Sequence, residues 1–144
     1  MNNRPSDGTG GADTTDVHGV RLAIEQAPFP HLLLHAEGAV SLPSVRDALR
    51  ALEDARRTTA SLTTLVIDAL DVSRFGRGAV VEIARWIPRN GAGLERVIVV
   101  STSTQLRSSV HALAACARSI RVESVETREG AQALLSAPTL SLTG

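Results

Sequence analysis

Two short apolar runs, Leu65-Val66-Ile67 and Val97-Ile98-Val99-Val100, constrain the fold of this chain more than any other feature. A run without polar alternation reads as a strand covered on both faces, which calls for layers on either side of a sheet. Helical stripes follow each run. Val80, Ile83, Ala84 and Ile87 recur at i, i+3, i+4 and i+7, and Leu106, Val110, Leu113 and Ala117 form a second stripe. Strand and helix therefore alternate from Leu65 onward, the order of parallel strands joined by right-handed crossovers.

Upstream, Val20, Leu22 and Ile24 alternate with Arg21, Ala23 and Glu25, the period of a half-buried strand. Ala27-Pro28-Phe29-Pro30 interrupts it, and a second strand from His31 to Glu37 can pair back antiparallel before Gly38 ends it. A helix begins at Ser41, its N-cap, with Pro43 in the first turn and an apolar stripe of Leu42, Val45, Leu49 and Leu52. Its outer face sets Arg50 against Asp54 and Glu53 against Arg57, each four apart. Pro88 with Asn90-Gly91 closes the helix after the Leu65 strand. Ile120 to Val125 alternates as a short strand, and Ala131, Leu134 and Leu135 form a last helix capped by Thr127. Residues 1–19 hold too little apolar surface to offset their ordering entropy and are expected to be a disordered tail. Residues 20–136 form one domain and 137–144 a short C-terminal tail.

Composition excludes several functions. The 15 basic residues cancel 15 acidic ones, so no net field draws the chain to nucleic acid or an anionic membrane. All the basic residues are Arg, which removes Schiff-base and P-loop lysine chemistry. Phe29, Phe75 and Trp86 are the whole aromatic set, too few for a base-stacking platform. No apolar stretch reaches the roughly 18 residues of a membrane span. Cys116, the single cysteine, lies in an apolar-periodic stretch and reads as a buried thiol. With no export signal visible, a cytoplasmic location is expected.

The residues most suited to chemistry or binding follow Ile67, because ligands of parallel sheets meet the carboxyl ends of strands. A loop from Asp68 to Ala79 is expected there. Gly76 and Gly78 permit close backbone approach, and Arg74 or Arg77 could attract an anion to the helix start; a tight turn is the competing reading. Asp68 and Asp71 are neighbouring carboxylates that either belong to a dyad or cap loop amides. His31 and His35 share a strand face, which could begin a metal site, but no third ligand is evident. Trp86 lies about 120 degrees off its helix stripe, given about 3.6 residues per turn, and reads as a partly exposed interface anchor or as core. Ser101-Thr102-Ser103-Thr104 reads as a helix cap or as a modified or ligand-contacting segment.

The strand pair, Glu37-Gly38-Ala39-Val40, a helix, and then Leu65-Val66-Ile67-Asp68 followed by Val72-Ser73 resemble the STAS domain of bacterial anti-sigma factor antagonists and sulfate transporter C-termini. The resemblance implies an α/β fold: a single STAS-like domain, its mixed four- to five-stranded sheet flanked by about four helices. Antagonists of this kind carry an Asp-Ser-Ser-Gly-like motif at the start of the following helix, where an anti-sigma factor kinase phosphorylates a serine. Aligned on Val72-Ser73, this chain has Gly76-Arg77-Gly78-Ala79 there, so the phosphoacceptor is missing and Arg77 brings a fixed positive charge. Ser73 becomes the alternative phosphorylation position only in another register. The implied function is a non-enzymatic regulatory module without cofactor or metal. Its partner would be a protein such as an anti-sigma factor, its kinase or a signalling scaffold. Docking would use Asp68, Ser73, Arg74, Phe75, Gly76, Arg77, Gly78 and Trp86. The alternative is a STAS-like protein binding a small lipid or anion.

Overall fold

The alternating runs and stripes become one sheet with helices on both faces. The computed structural model describes residues 15–17, 19–76, 78–90, 93–116 and 120–136. In chain order the elements are β1 (Thr15–Val17), β2 (Val20–Glu25), β3 (His31–Val40), α1 (Leu42–Thr58), β4 (Thr64–Phe75) and α2 (Ala79–Asn90). They continue with β5 (Arg96–Val100), α3 (Thr104–Cys116), β6 (Arg121–Val125) and α4 (Arg128–Ser136). The expectations for Arg77, for the ends of the chain at 1–14 and 137–144, and for the side chains of Leu113 and Cys116 lie outside the described residues.

Strand order in space follows strand order in sequence, β1-β2-β3-β4-β5-β6. The first two pairings are antiparallel and the last three parallel. The five expected strands are β2 to β6; Thr15–Val17, placed by composition in the N-terminal tail, adds a sixth by pairing with β2. Right-handed crossovers that always step in the same direction lay their helices on one face. The main core is accordingly built from Val45, Leu49 and Leu52 of α1, Ile87 of α2, and Leu106 and Val110 of α3, packed on Leu22, Leu34, Ile67 and Val99. Helix α4 follows the last strand and covers the other face, where Ala131 and Leu135 meet Val66, Ile98 and Val100. Strand β5, RVIVV, is buried along its whole length, which accounts for its lack of polar alternation.

Local signals hold at the helix ends. Ser41 caps α1, its hydroxyl accepting from the Ser44 amide at 3.2 Å, and Thr127 Oγ1 accepts from the Gly130 amide at 2.9 Å to cap α4. Pro88 falls inside the last turn of α2 rather than beyond it. The surface ion pairs of α1 differ from the expected ones. Arg50 pairs with Asp47 at 3.1 Å and Arg57 with Asp54 at 2.8 Å, each three apart. Glu53 is diverted: its Oε2 accepts from Trp86 Nε1 at 2.7 Å. This also corrects the reading of Trp86 as a partly exposed anchor, since only 6% of the residue is accessible. Position 86 points away from the α2 stripe, but α1 lies alongside α2, so the off-stripe flank meets a helix instead of solvent.

Candidate functional site

Strand β4 shapes the site by outrunning its neighbour. It pairs with β5 only from Thr64 to Asp68, and beyond that it continues to Phe75 against β3 alone. The expected Asp68 to Ala79 loop is therefore strand through Phe75. Two register shifts explain why alternation does not reveal it. Asp68 to Asp71 spans three steps opposite the two from His35 to Glu37, and Val72 to Arg74 spans two opposite the one from Gly38 to Ala39. Each extra residue bulges β4 and turns side chains out of the period-2 order. Ser73 is the skipped residue of the second bulge and is exposed, as is Arg74.

The turn into α2 is built on two glycines, one at a close backbone approach and one at positive φ. Gly76 donates its amide to the Val40 carbonyl at 2.6 Å, and a Cβ there would lie 3.1 Å from that oxygen and 3.2 Å from Ser41 Cα. Gly78 has φ +83°, in the left-handed region where other residues are strained. The Gly76 carbonyl accepts from Ala79 and the Gly78 carbonyl from Glu82, starting the helix. Turn geometry thus accounts for both glycines. Beside them a groove of about 550 Å³ opens between the end of β4, the start of α2 and the start of α3. It brings together Ser73, Arg74, Phe75, Gly76 and Gly78 of the predicted set and adds Val81, Ser103 and Gln105. Val81 is 52% accessible, the exposed large aliphatic side chain among the described residues. Its only signal in the sequence is that it is apolar yet off the α2 stripe. The serine run caps α3: Ser101 Oγ accepts from the Ser103 amide at 3.0 Å and Ser103 Oγ from the Leu106 amide at 3.2 Å.

Asp68 and Trp86, expected at the same surface, are elsewhere. Asp68 is 6% accessible and faces α4, because it is the residue at which β4 leaves β5 and Arg128 of α4 closes over it. Arg128 Nε donates to Asp68 Oδ2 at 2.7 Å and its Nη2 donates to Asp71 Oδ2 at 2.7 Å, while Asp68 Oδ1 also accepts from the Leu70 amide at 3.2 Å. His35 Nε2 donates to Asp71 Oδ2 at 3.3 Å, and Arg21 Nη2 lies 3.4 Å from His35 Nδ1. The hydrogen bond from His35, then that from Arg128, holds the Asp71 carboxyl below its ordinary 3.8; the bonds to Asp68 hold Arg128 above its ordinary value. Asp68 fills the expected cap at the Leu70 amide, and the two aspartates are not an open dyad. They form a charge network that pins the start of α4 to β3 and β4.

The two histidines separate in role. His31 is buried and bonded to the Phe29 carbonyl, whereas His35 joins the network with Glu37 and Asp71. Their ligand atoms lie within 4.8 Å of one another, a cluster the histidine spacing alone did not reveal. Arg128 at 2.7 Å from Asp71 already supplies the positive charge there, and a cation would have to work against it. The core offers little room for a lipid: its apolar cavity, lined by residues such as Val45, Ile67, Ile83 and Val110, measures about 40 Å³, far below the roughly 300 Å³ where ligand pockets begin.

An ordered mixed sheet with three crossover helices on one face, a fourth on the other, and a groove where β4 turns into α2 define a STAS-like, or SpoIIAA-like, α/β fold. Comparison with solved structures supports that class. An uncharacterized protein of the DUF3478 family with a SpoIIAA-like fold, from Shewanella loihica, superposes with a TM-score of 0.63 at 16% identity, covering 84% of this chain and 97% of its own. The anti-sigma factor antagonist SpoIIAA in its unphosphorylated form superposes with a TM-score of 0.55 at 15% identity, covering 79% and 96%. No family profile and no curated protein sequence matches the chain. Among the described residues, no helix is long and apolar enough to cross a membrane.

Proposed function

We propose that this chain is a non-enzymatic, cytoplasmic regulatory module that docks a protein partner, such as an anti-sigma factor, its kinase or a signalling scaffold, in the groove between β4, α2 and α3. The observation that carries this reading is the groove itself. It presents an exposed aliphatic residue, Val81, a half-buried aromatic, Phe75, and the exposed charge of Arg74 around about 550 Å³. An apolar centre with a polar rim is what a partner surface needs. The likeness to an anti-sigma factor antagonist supports the same class of function. The groove's serine hydroxyl at 103 serves as a helix cap, and no serine stands at the start of α2, where Gly78-Ala79 occupies the turn. In this reading the module is regulated without a serine at the helix start, and Ser73, exposed on its bulge and lining the groove, is the position for modification.

The test uses purified proteins encoded beside this gene and isothermal titration. Arg74→Glu with Val81→Asp should weaken binding of a true partner by about tenfold or more, since an interface centre tolerates a buried carboxylate poorly. Equal affinity for wild type and double variant would remove this groove from consideration.

A further inference from the structure

Helices α1 and α2 lie alongside each other on one face of the sheet, and the seam between them is lined by two matching rows. From α1 come Arg46, Leu49, Arg50 and Glu53, at the i, i+3, i+4 and i+7 positions that share a helix face. The same spacing on α2 brings Glu82, Arg85, Trp86 and Arg89. Leu49 and Trp86 close the floor, 3% and 6% accessible, while all four arginines are exposed. Four guanidinium groups thus face two carboxylates, and both carboxylates are engaged. Glu82 Oε2 lies 3.8 Å from Arg46 Nε, and Glu53 accepts from the Trp86 indole. Arg50 pairs with Asp47, outside the seam. Arg85 and Arg89 have no carboxylate partner among the described residues. The dipole at the end of α2 accounts for a cation at 89, in the last turn, but Arg85 stands a turn earlier.

What the seam offers selects its occupant. An apolar helix finds nothing to bury, because the floor is already closed. A second copy of the chain docked seam to seam would set arginines against arginines. The space above the floor, about 270 Å³, is under the roughly 300 Å³ at which small-molecule pockets begin. A nucleic-acid strand carries a phosphate at every step and would place some of them over Glu53 and Glu82. Separate carboxylates on a rigid carrier avoid that conflict. Residues four apart on a helix rise about 6 Å, which is also the rise from Arg85 to Arg89. We propose that the α1–α2 seam is a docking site for an acidic helix of a partner protein, its Asp or Glu side chains at i and i+4 paired with Arg85 and Arg89 and uncharged residues passing over Glu53 and Glu82. No residue lines both this seam and the groove at β4, α2 and α3, so the two surfaces can be occupied separately.

Fluorescence anisotropy of the full chain with two labelled synthetic peptides at low salt tests this. Both peptides share one alanine-rich composition and are held helical by the same hydrocarbon staple. One sets its glutamates along a single helix face at i and i+4; the other spreads them around the helix. The single-face peptide should bind about fivefold tighter to the wild-type chain, and both should weaken as salt screens the charges. Arg85→Gln with Arg89→Gln, both at exposed positions that spare the core, should weaken the single-face peptide about tenfold, the scale of two partly exposed charge pairs. Arg74→Gln, at the groove, should leave that affinity unchanged. Equal affinity for the two peptides, an unchanged affinity in the Arg85 and Arg89 double variant, or an equal loss in Arg74→Gln would each overturn the proposal. So would tighter binding of a single-stranded DNA oligonucleotide of the same charge, or no anisotropy change at millimolar chain.

Discussion

The Trp86 to Glu53 hydrogen bond predicts a specific coupling between α1 and α2. The indole N–H donates to a carboxylate at 2.7 Å from a residue that is 6% accessible, while Glu53 is half-buried. A hydrogen bond to a charged group contributes about 1.5–3 kcal/mol, and partial solvent access puts this one near the lower end. Trp86→Phe removes the donor, and Glu53→Met removes the acceptor while keeping the aliphatic stem. Each should also change packing, so the informative quantity is the interaction term of the double-mutant cycle, expected at about 1–1.5 kcal/mol. Urea unfolding followed by far-ultraviolet circular dichroism measures it, and the corresponding loss in Tm is about 3–5 °C for a chain of this size. Because Trp86 is the single tryptophan, its fluorescence gives an independent check. In the wild type, acrylamide should quench it weakly. Additive mutations, within about 0.3 kcal/mol, together with quenching as steep as for free indole would refute the burial of Trp86 and restore it as a surface anchor.

Other expectations rest on single contacts. Asp71 has a native pKa below its ordinary 3.8, so its pairing stabilises the fold above that value and the contribution is lost as pH falls through the native pKa. The Tm difference between wild type and Asp71→Asn should thus be full at neutral pH and vanish in strong acid; a difference that grows on acidification would contradict the network. Gly78→Ala places a side chain at φ +83° and should cost about 1–2 kcal/mol in denaturant unfolding. Thr127→Ala removes the α4 cap and should cost about 1 kcal/mol, with faster amide exchange confined to the first turn of that helix. Arg74→Glu with Val81→Asp should leave Tm within about 2 °C of wild type, because both side chains are exposed.

What was legible in the sequence was whatever depends on local period. The runs at Leu65 and Val97, the α1 and α2 stripes, and the caps at Ser41 and Thr127 each signal within a few residues, and these suffice for the strand and helix order. The last stretch of β4 was hidden because two bulges break its alternation, so Asp71, Ser73 and Arg74 read as loop. Trp86 stayed open between anchor and core because a stripe says which side of a helix meets the sheet, and nothing about which helix lies beside it. The same contact took Glu53 away from Arg57. The Asp68, Asp71 and Arg128 network joins positions 57 and 60 residues apart, a separation at which no spacing rule operates.

The placement of those pairs gives an electrically neutral chain a direction. On the α4 face, Arg128 is held by Asp68 and Asp71, and Arg96 by Glu123 at 2.8 Å, so the basic groups there have little field to project. At the groove, exposed Arg74 has no acidic partner among the described residues, and beyond it lie Val81 and Phe75. Net charge near zero leaves long-range steering weak, but an uncompensated charge at the rim of an apolar groove still acts within a Debye length, about 8 Å at physiological salt. The association rate of an acidic partner should therefore fall with ionic strength in the wild type and lose most of that dependence in Arg74→Gln, while dissociation, governed by the apolar centre, stays nearly constant. Stopped-flow measurement across a salt series separates the two rates. If wild type and Arg74→Gln showed the same salt slope, the charge at the groove would play no part in recognition, and the apolar contact at Val81 and Phe75 would have to carry it alone.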